Sequence, residues 1–155
     1  MDDRTFRNAM GRFATGVTVI TTQTKDDIHG MTANAFMSVS LTPKLITISV
    51  DNRANMLDKI KESKQFAVNI LSDKQQDISM HFAGQTKEER EIEFGFIEGI
   101  PVIQEALVSV VCDLDTSYVV GDHTLFIGRV IDIKTTEGDP LTFYCGRYGI
   151  NSVVS

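Results

Sequence analysis

Apolar side chains at Phe6, Met10 and Phe13 recur at i, i+4 and i+7, which predicts an amphipathic first helix with one buried stripe, capped by Asp2 or Asp3 and ended by Gly16. The period then changes. GVTVITTQT is β-branched and alternating, a polar turn follows at 25–27, and residues 28–32 return as the second arm of an antiparallel hairpin. Residues 33–41 mix small polar and apolar side chains, and 45–50 form a strand too apolar to be an edge. Asn52 is placed to cap a helix reaching about Ser63, with Met56, Leu57 and Ile60 inward and Lys59, Lys61 and Glu62 outward. A strand at 65–71 precedes a short helix capped by Ser72 or Asp73 and running through Phe82, and the charged stretch 87–93 reads as a solvated excursion. Three strand-like segments close the chain, at 107–114, 124–134 and 141–145, with turns at Gly121-Asp122 and at 137–140. Short strands joined mainly by hairpins, with few helices, predict a mainly β antiparallel barrel or sandwich.

Composition narrows the possibilities. A chain of 155 residues, 42% hydrophobic and 23% charged, fits one compact domain spanning 1–155. Its net charge of -6 is opposite to a nucleic-acid footprint, and no Lys/Arg run suits a membrane surface. The beginning MDDRTFRNAMGRF lacks an apolar signal region and no apolar run approaches the ~20 residues that cross a bilayer, so a cytoplasmic location is expected. Cys112 and Cys145 stand far apart without a C-x-x-C pair and are read as ordinary buried thiols; His29, His81 and His123 are isolated, so no metal site is expected.

The usual nucleotide signatures G-x-G-x-x-G and G-x-x-x-x-G-K-[ST] are missing, and no G-x-S-x-G elbow, carboxylate pair or Cys/His couple suggests hydrolysis or covalent catalysis. The densest polar segment is GMTANAFMSVSLTP at 30–43. Period two would place Thr32, Asn34, Ser38, Ser40 and Thr42 on one face, where they could bond the edge of a heteroaromatic ring while Ala33, Ala35, Phe36 and Val39 supply apolar contact. The bland alternative is a solvent-facing polar strand. Asp51 to Asn55 open a helix, so free N–H groups, the positive dipole end and Arg53 could receive a phosphate, or Asn52 simply caps and Arg53 faces water. His123 lies where a turn enters an apolar strand; it is either structural or stands at a pocket mouth, offering donor and acceptor nitrogens to a bound ring.

Taken in order, GVTVITT, GMTANAFMSVSLTPKL, HFAG and GDHTLFIGRV resemble the short-chain flavin reductases that accompany two-component flavin-dependent monooxygenases, such as the reductase components of phenol or 4-hydroxyphenylacetate hydroxylases. The resemblance runs from about Asp2 to Tyr148. It implies a split β-barrel of the FMN-binding type, a Greek-key antiparallel barrel with short flanking helices, assembled as a homodimer. It also implies hydride transfer from NADH to FAD or FMN, with reduced flavin leaving for a separate oxygenase. By position, Thr32, Ala33, Asn34, Ser38, Val39 and Ser40 would contact the isoalloxazine and ribityl part. Asn52, Arg53, Ala54 and Asn55 would lie near the phosphates, and Phe82, Ala83 and Gly84 would complete the flavin site. His123 would be the catalytic residue on the nicotinamide side, and Tyr148, matching the aromatic of a G-[RK]-Y element, would lie near the nucleotide. With no Arg-rich 2'-phosphate pocket in view and a charge of -6, NADH is preferred to NADPH. After Tyr148 the chain reads GINSVVS, where relatives often continue. A tightly bound FMN oxidoreductase with another acceptor, a non-catalytic flavin-binding module and a purely structural barrel with a polar face are the alternatives.

Overall fold

The computed structural model describes residues 1–25, 27–86 and 91–150. The excursion expected at 87–93 and the turn at 25–27 therefore fall partly outside the described residues, and the last five residues of the GINSVVS tail wholly so. β-branched alternation produces an antiparallel framework: β1 (Thr15–Gly16), β2 (Thr18–Thr24), β3 (Asp27–Ala33), β4 (Phe36–Leu41), β5 (Lys44–Asp51), β6 (Gln65–Ile70), β7 (Phe94–Ile97), β8 (Ile100–Ile103), β9 (Val108–Val120), β10 (His123–Thr135), β11 (Leu141–Tyr144) and β12 (Arg147–Ile150). Among the described residues three α-helices flank it: α1 (Asp3–Met10), α2 (Asn55–Ser63) and α3 (Gln76–Phe82).

The main sheet has the order β3-β2-β6-β9-β10-β5-β4, with a small sheet β1-β11-β12 and a hairpin β7-β8 beside it. Consecutive strands β3 and β4 occupy the two opposite edges of the seven-stranded sheet. Only Asn34 and Ala35 connect them, and three Cα steps reach at most about 11 Å, so the sheet must curl until its edges approach at that link. No ladder joins the edges. The result is the mainly β, antiparallel fold that was expected, open along one seam rather than closed. The long β9 uses its first half against β6 and its second half only against β10, while β10 pairs with β5 over 123–129, so the two halves of this hairpin serve different parts of the curl.

Inside the curl, Ile20, Ile48, Val50, Ile60, Phe66 and Phe126 form the main buried cluster, and α2 plugs it with Met56, Leu57 and Ile60 as its apolar spacing demands. A second cluster, with Val17, Val19, Leu71, Ile103 and Leu141, joins the small sheet to the body. Among the described residues one side-chain amide is fully buried, and it is completely used. Asn69 donates to the Val19 carbonyl and Thr21 Oγ1, and its Oδ1 accepts from the Ile103 N–H and Ser109 Oγ, which fixes the β7-β8 hairpin to the sheet.

Several expectations are corrected. Cys145, read as a buried thiol, is exposed in the turn between β11 and β12, whereas Cys112 is buried. Helix α1 starts as read, with Asp2 accepting from the Thr5 N–H at 2.8 Å, but it stops at Met10 with Gly11 as its cap. Its stripe is not buried: Phe6, Met10 and Phe13 are 54%, 57% and 80% exposed, because none of the described residues forms a layer over that side of the helix. Asn52 does not cap α2. Ala54 holds the N-cap position without a side-chain bond, since the Asn52 carboxamide is engaged by the Thr124 hydroxyl at 2.7 Å. Finally, the hairpin at 94–103 was not foreseen; Glu98 and Gly99 both adopt positive φ, the conformation of a tight two-residue turn.

Candidate functional site

The end of β3, helix α3 and the small sheet meet around a cleft of about 150 Å³. Thr32, Ala33 and Asn34 form one wall, Ser79 and Ala83 the second, Phe143 and Tyr148 the third. Thr32 Oγ1 donates to the Ser79 carbonyl at 2.6 Å, and the Ser79 hydroxyl is 2.8 Å from the Tyr148 phenol oxygen, so the three walls are tied through one serine. Five residues expected to share a site, Thr32, Ala33, Asn34, Ala83 and Tyr148, do converge here. Ser79 and Phe143 were missed. Ser79 sits one helical turn before the Phe82-Ala83-Gly84 block, which was the available clue.

Phe82 acts differently from its neighbours. Its ring lies against the backbone of Gly30, where any Cβ would collide with it, and stacks edge-on to His81 and tilted to Phe94. Phe82 therefore presses α3 onto β3, and Gly30 is the residue that permits this approach. Gly84 ends α3 with φ of +71°, a left-handed position natural to glycine.

Asn34 borders three spaces at once. Besides the cleft, it lines a hollow of about 790 Å³ walled by Phe13, Ala35, Phe36, Met37, Thr47 and Ser49, and another of about 670 Å³ with Arg7, Arg12 and Phe143. The row of hydroxyls predicted for one face is broken. Asn34 and Ala35 lie between strands, and a bulge at Val39 pairs Ser38 with Ile46 and Ser40 with Leu45, consecutive ladder positions that face opposite ways. Ser38, Val39 and Ser40 thus lie on the edge strand β4, outside the lining of both the cleft and the larger hollow.

A separate corner forms where β5 ends against the start of β10. Asp51 pairs in register with His123, and the Asn52 N–H donates to the Asp122 carbonyl at 2.9 Å. The expected phosphate cation, Arg53, is 87% exposed but already held: its Nε and Nη2 donate to the two Asp51 oxygens at 3.1 and 2.9 Å, and its backbone N–H donates to the same carboxylate. These bonds hold the Asp51 carboxyl well below the usual carboxylate range. Next to it the Asn55 N–H begins a helix whose cap has no side-chain acceptor. His123 Nδ1 lies 2.7 Å from Asp122 Oδ1, and that contact lowers the Asp122 pKa. The ionised carboxylate can only accept, so Nδ1 carries the proton and Nε2 is left for a partner outside this pair.

Residues 10–152 match the family model described as a flavin reductase like domain. An NADH-dependent flavin reductase of Rhodococcus sp is 44% identical over 145 residues, covering 92% of this chain and 82% of the relative. The reductase component of 4-hydroxyphenylacetate 3-monooxygenase from Thermus thermophilus is 38% identical over 92% of this chain and 93% of its own length. Among solved structures, the flavin reductase PheA2 in its native state superposes with a TM-score of 0.97 at 56% identity, over 98% of this chain and 99% of that one. The NADH:FAD oxidoreductase SgcE6 of Streptomyces globisporus, in complex with NAD and FAD fragments, superposes with a TM-score of 0.90 at 34% identity, over 97% and 94%.

Proposed function

This chain belongs to the flavin reductase like family, and from that premise we propose that it is an NADH-dependent flavin reductase that reduces FAD or FMN and passes the reduced flavin to a separate oxygenase hydroxylating an aromatic compound such as phenol. The observation that carries this reading is the meeting of a large apolar hollow and a small polar-rimmed cleft at Asn34. The hollow fits a flavin: its volume is that of a small-molecule site, its walls are mainly apolar, and Asn34, Thr47 and Ser49 supply a few hydrogen-bonding groups. The flavin, when bound, supplies the ring that accepts hydride from NADH.

The chain's own residues then have to hold two rings together and exclude water, because hydride transfer asks for little acid or base chemistry. Asn34 borders both spaces, and Thr32 and Ala33 beside it wall the cleft. Asn52, Arg53, Ala54 and Asn55 take the phosphate at the uncapped start of α2, with Arg53 exchanging Asp51 for the incoming oxygens. His123 offers Nε2 to the reacting pair. Ser38, Val39 and Ser40 approach the flavin from the edge strand β4, beyond Phe36 and Met37 of the hollow's wall, while Ala83 walls the adjoining cleft, Gly84 ends α3 beside it and Phe82 holds α3 in place.

The proposal includes a homodimer, supported by the uncovered apolar stripe of α1, and a single domain working in the cytoplasm; no helix among the described residues is long and apolar enough to cross a membrane. Following NADH absorbance in air tests the function. Oxidation that depends on added FAD or FMN, and is slower with NADPH, is expected; no oxidation with either flavin overturns the reading.

A further inference from the structure

The cleft and the larger hollow differ in size in a way that sorts the two rings. A cavity of about 150 Å³ admits one six-membered ring, as benzene enters engineered cavities of that size, and is too small for a three-ring flavin. Its position beside the hollow makes it the space for a single-ring partner. Within it the least expected feature is Ser79. This residue is fully buried in α3, where serine is a poorer helix former than alanine and ordinarily bonds its own preceding turn. Instead its hydroxyl reaches across the cleft to the Tyr148 phenol at 2.8 Å. Tyr148 needs such an anchor: it stands on β12, an edge strand of the small sheet, steadied at its flank by an edge-on contact with Phe143 at 5.3 Å. The Ser79 carbonyl in turn accepts from Thr32, so α3 holds β3 and the tyrosine in one arrangement.

We propose that Ser79 is a positioning residue for pyridine nucleotide: by fixing the Tyr148 ring it shapes the cleft that receives the nicotinamide ring of NADH. The inference rests on the flavin reductase reading. Since Ser79 acts through Tyr148, the two side chains form one functional unit, and their removal is not additive.

Steady-state kinetics on Ser79→Ala, Tyr148→Phe and the double variant test this, with FAD affinity followed by flavin fluorescence and NAD⁺ binding to flavin-loaded protein followed by calorimetry. Each single variant raises KM for NADH about fivefold, the size of one ordinary hydrogen bond, and the double variant is no worse than either single one. NAD⁺ binding weakens in parallel, while FAD affinity shifts less than about twofold. Variants that multiply to about 25-fold, leave KM unchanged, or weaken FAD as much as NADH overturn the proposal. Should Ser79→Ala fail to fold, Tyr148→Phe alone decides by the same split between NADH and FAD. A wild-type protein that oxidises no NADH overturns the reductase reading and this one together; a competent wild type with variants of the wrong pattern overturns this one alone.

Discussion

His123 shows how one contact restricts what a residue can do. With Nδ1 donating to Asp122, the neutral ring presents only a lone pair at Nε2, and it donates to a carbonyl only when protonated. His123→Ala removes both options, and turnover of NADH is expected to fall about tenfold while the melting temperature stays within a degree or two, since the side chain is 42% exposed. Unchanged turnover and NADH affinity would remove the residue from the mechanism. At this scale the sequence was informative where chemistry and order coincide, as at Thr32, Asn34, Ala83 and Tyr148, which reach one cleft from three segments. It was misleading at Ser38 and Ser40, because a single bulge at Val39 cancels period two and no side-chain pattern announces a bulge. Ser79 was invisible because a mid-helix serine looks the same whether it faces water or a phenol.

Elements were legible where the hydrophobic period and the capping chemistry agree. Ser72 is such a case: its hydroxyl accepts from the Lys74 N–H at 3.3 Å and its own N–H donates to Gln75 Oε1 at 3.0 Å, a reciprocal cap that starts the turn leading into α3. Ser72→Ala is expected to cost about 1 kcal/mol of stability, read as a lower urea midpoint with an unchanged slope. An unchanged midpoint would mean that the turn is held by other contacts, such as Gln75 on the Gln104 carbonyl. Asn52 matched the same composition rule and failed, since a tertiary partner, Thr124, claimed its carboxamide first. The hairpin β7-β8 escaped because the charged run before it suggested that the solvated segment continued, whereas FGFI and IPVI pack against the sheet through Ile100 and Val102.

For the whole molecule, the stripe on α1 was correctly seen as apolar and wrongly assigned to this chain's own core. A pattern records that a face avoids water, not which surface covers it. If a second copy covers it, Phe6→Asp, on the part of the stripe that does not wall the larger hollow, places a charge in that contact, and sedimentation should show the dimer of the wild type shifting to monomer at micromolar concentration; a variant that stays dimeric would move the interface elsewhere. The curl of the sheet was likewise legible only in part: hairpins were predicted, but the closing link at Asn34 and Ala35 is a topological fact that local pattern does not encode. The grip of Asp51 on Arg53 has one last consequence. On the proposed reading, every phosphate that docks there competes for Arg53 with a tethered rival of the same sign, present at high effective concentration and never diluted away. The chain thus carries its own inhibitor of tight binding, which favours a visitor that departs after each turnover over a permanent resident.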